Sequence, residues 1–373
     1  MRLSHILHLG VKELRSLARD RVMLLMIAYS FSLAIYAAAT AMPDALNRAT
    51  IAIVDEDGSP LSHRIASAFY PPYFVPPDII DRNEMDRRLD SGDNTFALDI
   101  PPNFQRDVLA GRQPVVQLNV DATRMSQAFT GGGYIQNIVT QEVQSFLDRY
   151  RSEPVLPVDL AYRIRFNPQL SNAWFGSVIE VINNVTMLSI ILTGAALIRE
   201  REHGTIEHLL VMPVTPFEIM MSKVWAMAVI VLLAALFSIT VIVQHVLSVP
   251  IQGSLALFMA GTVLHLFAAT SMGIFLGTVA RSMPQLGLLM ILVLLPLQML
   301  SGGMTPRESM PDMVQNIMLI APTTHFVEMA QAILFRGAGM DVVWPQFTAL
   351  LAIGGSLFGL SLARFRKTIS AMA

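Results

Sequence analysis

From Val22 to Ala41 the chain runs twenty residues without a charged side chain, and about 20 apolar residues of helix match the thickness of a bilayer's hydrocarbon core. Five further windows nearly free of charge follow at about 176–198, 222–247, 254–280, 285–301 and 344–363. Only 14% of all residues are charged, against about a quarter in soluble domains. The pattern predicts an α-helical polytopic membrane protein with six transmembrane helices. The Ala37-Ala38-Ala39 end of the first window resembles a signal-peptidase site, but the run outlasts the apolar core of about 7–15 residues in a cleaved signal. A retained span is therefore expected.

Ahead of it, residues 1–21 place Leu3, Ile6, Leu7, Leu14 and Leu17 at helical spacing, with Arg2, Lys12, Arg15, Arg19 and Arg21 on the other faces. That pattern predicts a basic amphipathic helix at an anionic lipid surface. Residues 42–175 differ sharply, with seventeen acidic and twelve basic residues, and predict an inserted mixed α/β domain. Thr50–Val54, Phe96–Ile100 and Val115–Val120 read as strands, and 60–70, 83–91, 103–111 and 134–150 as helices. Lys and Arg concentrate in 1–21, at Arg199, Arg201 and Lys223, at Arg281, and at Arg364, Arg366 and Lys367, while the loop near 248–253 has none. The positive-inside rule then puts both termini in the cytoplasm and 42–175 outside it.

Several function classes are disfavoured. A net charge of −2 gives no basic surface for nucleic acid. There is no cysteine, which removes disulfides, Cys-ligated zinc and thiol nucleophiles. No G-x-x-x-x-G-K-[ST], G-x-S-x-G or H-E-x-x-H occurs, so the chain has no phosphate loop and no motif of these hydrolases. Asp55-Glu56-Asp57-Gly58 lacks the spacing and final glutamate of a calcium loop and reads as a turn after a strand. No metal or cofactor is expected in this chain.

The stretch from Arg199 to Met220 punctuates the second and third spans. Gly204-Thr205 supplies a break and a helix cap, Glu207 suits the positive end of a helix, and Pro213 stops it after about two turns at 205–212. Thr215-Pro216-Phe217-Glu218 then restarts a helix with a capping box. After the fifth span, Thr305-Pro306-Arg307-Glu308 reads as another capping box opening short, proline-broken apolar helices over about 303–335. Such a segment fits half-inserted, re-entrant helices, because irregular backbone survives at membrane depth only when protein covers it or it lines a cavity. Inside the spans, Glu180, Asn183 and Asn184 share a face, as a hydrophilic path, a dimer seam, or interhelical hydrogen bonding; His265 and Gln298 read as packing groups.

These segments resemble the ABC-2 type transporter permeases of bacterial inner membranes. The resemblance covers essentially the whole chain. Its most specific part is Arg199, Glu200, Glu202, Gly204, Thr205, Glu207, Leu209 and Pro213, and a second part is Pro306, Pro311, Pro322 and Thr324-His325-Phe326. It implies that 205–212 is a coupling helix on which a separate cytoplasmic ABC ATPase docks, binding the ATP and Mg that this chain does not. It further implies a multi-pass inner-membrane exporter pairing with a second permease, identical or homologous, among membrane lipids, with a periplasmic adaptor as a further candidate partner. Two rivals stand beside it: a membrane receptor or scaffold whose external domain binds an envelope partner, and an intramembrane enzyme using Glu180 or His265.

Overall fold

The computed structural model describes residues 2–40, 48–121, 125–150, 172–202 and 213–370; the predicted coupling helix at 205–212 lies outside them, as do Gly204, Thr205, Glu207 and Leu209. The chain divides into two compact units, Met1–Met42 with Ile164–Ala373, and Pro43–Arg163. The first opens with α1 (Leu3–Arg19), α2 (Arg21–Ser30) and α3 (Leu33–Thr40). Asp20 separates α1 from α2 and caps α2 by accepting from the Met23 amide at 3.1 Å.

The second unit is a mixed α/β fold. In chain order it holds β1 (Ile51–Asp55), α4 (Pro60–Ser67), β2 (Asp78–Ile79), a 3₁₀ turn (Arg82–Glu84), α5 (Met85–Asp90), β3 (Phe96–Ile100), α6 (Phe104–Leu109), β4 (Gln117–Val120) and α7 (Met125–Tyr150). The sheet runs β2-β1-β3-β4, parallel except for the β3–β4 pair. Ile51, Ile53, Phe96 and Leu98 pack with Leu61, Ile65 and Phe104, and with Ile135 and Phe146 of α7. Two details depart from the sequence pattern. β2 has only two residues, both exposed, too short to leave an alternating signature. Helix α7, expected from 134, begins at Met125 and runs through Gly131-Gly132-Gly133; Gly131 sits where any Cβ would strike the Phe96 ring. The Asp55 carboxylate accepts from the Asp57 and Gly58 amides at 3.1 and 2.9 Å and from Ser62 Oγ, a turn held by its own side chain.

The rest of the first unit is α8 (Asn172–Glu202), α9 (Pro216–Phe237) continued by a π-helical stretch (Ser238–Val246), α10 (Leu255–Val279), α11 (Met283–Leu300), a 3₁₀ turn (Arg307–Ser309), α12 (Asp312–Met318), α13 (Pro322–Leu334) and α14 (Met340–Ser370). Among the described residues, six stretches are long and apolar enough to cross a membrane: 21–40, 173–202, 216–246, 255–279, 283–300 and 340–367. They coincide with the six windows of the sequence. Helix α8 is the axis of the unit, its apolar stretch 83% buried against 22% for α11 and 17% for α14. Helix α10 packs along both α8 and α14. Its contact with α8 is a small-residue crossing, where Gly273 and Gly277 lie against the backbone of Ile190 and Gly194. Without a hydrophobic drive between helices in lipid, such close approach supplies the dispersion energy that holds them.

The ends of the helices sort into two groups. Phe175 at the start of α8 stacks on Phe335 after α13, the Gln252 amide donates to the Leu334 carbonyl, and Phe175 shares a cavity with Ser301 after α11. At the opposite end, α1 meets the start of α9 and the end of α8, and Phe365 of α14 packs beside Leu9 and Met220. Helix α11 therefore finishes, and α14 begins, at one and the same end. Between them lies the segment expected to be re-entrant, whose helices α12 and α13 bend by 90°.

Candidate functional site

One cluster of charged residues in the helical unit gathers where α8 ends and α9 begins. Lys223, about two turns into α9, is 1% exposed. Its Nζ donates to Glu13 Oε1 of α1 at 3.0 Å and makes an ion pair with Glu200 Oε2 of α8 at 2.7 Å. Lys12 closes the group at 3.0 Å from Glu200 Oε1. Two ammonium groups thus face two carboxylates. Taking either sign alone out of water would cost several kcal/mol, so each charge is tolerable because the others are present.

The remaining charges at the end of α8 are engaged as well. Arg199 Nη1 lies 2.9 Å from Asp20 Oδ2, the carboxylate that also caps α2. Arg201 Nη1 donates to the Ala280 carbonyl at 2.7 Å, and Glu202 Oε1 accepts from the Met283 amide at 3.1 Å, so both reach the α10–α11 turn. After the undescribed segment 203–212, Pro213 occupies a bend. The predicted capping box then forms. Glu218 Oε2 accepts from the Thr215 amide at 2.8 Å, Thr215 Oγ1 accepts from the Glu218 amide at 3.3 Å, and Pro216 fills the first helical position. The other carboxylate oxygen of Glu218 accepts from the Arg2 amide at 2.8 Å, fixing the start of α1.

Helix α1 is therefore held from the protein side as well as shaped for lipid. Glu13 and Leu17 are buried while Leu3, Leu7 and Val11 are exposed, and Trp225 Nε1 donates to the Ile6 carbonyl at 3.1 Å. Sequence reasoning ranked the basic residues of 1–21 and passed over Glu13. The available signal was one acid on the apolar side of a basic helix.

Glu180, Asn183 and Asn184 share α8, and the side chains of Glu180 and Asn184 meet in a hydrogen bond. Asn184 is 2% exposed and donates from Nδ2 to the Ser30 carbonyl at 2.7 Å, bonding α8 to α2. Glu180 and Asn183 are half-buried. One turn on, Thr186 Oγ1 lies 2.8 Å from His265 Nε2, and the His265 ring stacks flat on Phe326 of α13 at 4.0 Å between centroids. This joins α8, α10 and the re-entrant segment through one buried imidazole.

Within the re-entrant segment, Pro306 and Pro311 precede the 3₁₀ turn and α12, and Pro322 opens α13. The capping box read at Thr305–Glu308 does not form: the three-residue 3₁₀ turn starts after Pro306, with no side-chain cap. So short a turn leaves no run of unpaired helix amides for Thr305 to satisfy. Thr324 is 2% exposed, and His325 Nε2 donates to the Leu319 carbonyl at 2.9 Å, bracing the 90° bend. Among the described residues no group of acidic and histidine side chains could hold a metal ion.

Comparison with known proteins agrees with this architecture. A family model described as "ABC-2 family transporter protein" matches residues 22–363. The chain is 65% identical over 373 residues to "Inner membrane transport permease YhhJ" of Escherichia coli K12, covering 100% of this chain and 99% of that protein. It is 28% identical over 369 residues to "Probable multidrug ABC transporter permease YbhR" of the same organism, covering 96% and 97%. It is 26% identical over 293 residues to "Probable multidrug ABC transporter permease YbhS", also from that strain, covering 78% and 77%.

Proposed function

This chain belongs to the ABC-2 transporter family, and we propose that it is the permease half of an ATP-driven exporter. A separate cytoplasmic ATPase supplies ATP hydrolysis, and a second permease chain, identical or homologous, completes the pathway. One observation carries the reading: the end of α8 is tied to α1, α9 and the α10–α11 turn through Arg199, Glu200, Arg201 and Glu202. A push on segment 203–212 would reach each of those helices through a named contact rather than dissipate in a loose loop. The lack of a phosphate loop in the sequence agrees with a motor on another chain. Outward transport follows from the family reading, and the positive-inside count supports a cytoplasmic location for 203–212. The word "multidrug" in the names of two relatives makes organic amphiphiles the first cargo class to test.

The test is reconstitution of the permease with its ATPase in proteoliposomes. Gly204→Lys or Glu207→Arg should leave membrane insertion intact but abolish ATP-dependent export. Normal hydrolysis and export by both variants would remove the docking role of 203–212. Failure of any ATPase subunit to co-purify in mild detergent would favour a receptor or scaffold instead.

A further inference from the structure

At the end of the helical unit opposite Lys223, a cavity of about 440 Å³ opens between the loop after α11, the re-entrant helix α13 and the start of α8. That volume lies within the range of small-molecule sites, roughly 300–1,000 Å³. One wall is a single face of α13, where Thr324, Val327, Glu328 and Gln331 recur at helical spacing. The facing wall is the loop Ser301–Glu308, turned by Gly302 at φ +93°, a conformation that favours glycine.

The charges lining this cavity are unspent. Arg307 and Arg336 meet it with Glu308 and Glu328, yet no ion pair among the described residues involves any of the four. Arg307 Nε is buried without a hydrogen-bond partner, and so is Thr324 Oγ1 on a side chain 2% exposed. A buried donor left without an acceptor is unfavourable, so these atoms stand ready for an acceptor that enters the cavity. Phe175 and Met304, both exposed, supply apolar wall. Helix α12, next in the chain, exposes Met313 and Ile317, and Ile320 just after it is exposed as well.

We infer that this cavity binds the head group of an amphiphile with a compact zwitterionic head. Arg307 and Thr324 receive its phosphate or carboxylate, Glu328 and Glu308 face its ammonium, and its tail lies along Phe175 and Met304. A purely anionic head would meet the two glutamates unfavourably, and a purely cationic one would leave the buried donors of Arg307 and Thr324 unmatched. The inference does not depend on what drives transport or on what is transported.

The probes are a diacyl phosphatidylethanolamine, a phosphatidylglycerol with the same tails, and soluble phosphoethanolamine. Each is titrated into delipidated full-length permease in detergent, with stoichiometry read by native mass spectrometry and binding by thermal shift. The wild type should hold one phosphatidylethanolamine at least about tenfold more tightly than phosphatidylglycerol, with phosphoethanolamine weaker than the lipid. Arg307→Gln should weaken both lipids about tenfold. Glu328→Gln, on an exposed side chain, should erase the preference between them while keeping the size-exclusion profile. Equal binding of both lipids in the wild type, retention unchanged by both substitutions, or no stoichiometric lipid at all would each overturn the inference. Phosphoethanolamine binding as tightly as the lipid would overturn the amphiphile and leave a soluble zwitterion. None of these readouts involves an ATPase, so the inference can fail while the exporter reading stands, and the reverse.

Discussion

Lys223 Nζ and Glu13 Oε1 stand 3.0 Å apart across 210 residues of sequence, joining the first helix of the chain to the third membrane helix where both are buried. Glu200 makes the second contact to the same ammonium at 2.7 Å. The group therefore has unequal members: Lys223 serves two carboxylates, while Glu13 and Glu200 share one buried cation.

That asymmetry predicts the order of a substitution series. Lys223→Met leaves Glu13 and Glu200 only the exposed Lys12 as counter-charge and should cost about 3–5 kcal/mol, the usual effect of removing one partner from a buried pair. Glu13→Gln leaves Lys223 paired with Glu200 and should cost less. Thermal unfolding of the purified permease in detergent ranks the two, and a larger loss for Glu13→Gln would show that Glu200 does not hold the ammonium by itself.

A second prediction concerns the α8–α10 crossing. A Cβ at Gly273 would fall 2.6 Å from the Ile190 carbonyl oxygen and 3.1 Å from its Cα, and backbone cannot step aside as a side-chain tip can. Gly273→Ala should destabilise by about 1–3 kcal/mol, as overpacking does. Gly359 of α14 has nothing within 4 Å of the same position, so Gly359→Ala should be neutral or slightly stabilising, by up to about 1 kcal/mol. The same thermal assay compares the pair in one experiment.

The buried imidazole gives a third. His265→Phe keeps a flat ring against Phe326 and loses the contact to Thr186, whose hydroxyl still donates to the Ile182 carbonyl at 3.1 Å. Phenylalanine also forgoes the imidazole's contact with the Pro322 backbone, so the change should cost about 1–2 kcal/mol, whereas His265→Ala opens a cavity and should cost about 3 kcal/mol. If the alanine variant were the milder, the ring stack would not be what joins α13 to α10.

What the sequence disclosed follows the range of the interactions involved. The six spans were legible because each is a property of about 20 consecutive residues. The cap at Thr215 was legible because its partner, Glu218, is three residues away and Pro216 marks the first helical position. The Lys223 group was not, since its members lie on α1, α8 and α9 and a lysine at the head of an apolar run looks like an ordinary flank. The stack of His265 on Phe326 was hidden for the same reason, although both residues were visible as polar and aromatic positions. In the α/β unit, the helix expected from 134 starts instead at Met125, because local propensity disfavours glycines 131–133 while Gly131 packs against Phe96 within the helix. At Thr305 the local signal erred the other way, promising a helix start where only a three-residue turn forms.

The distance between Glu13 and Lys223 along the chain also sets a timetable. A ribosome adding roughly 5–20 residues per second needs on the order of 10–40 s to make the intervening 210 residues. Throughout that interval α1 carries an acid whose buried counter-charge has not yet been synthesised. The first helix of the nascent protein must therefore wait at the membrane surface, with Glu13 in water, until α9 emerges and draws it into place. Chains truncated before Lys223 should never seat it, and a cell's quality-control proteases would meet an amphipathic helix with no dock.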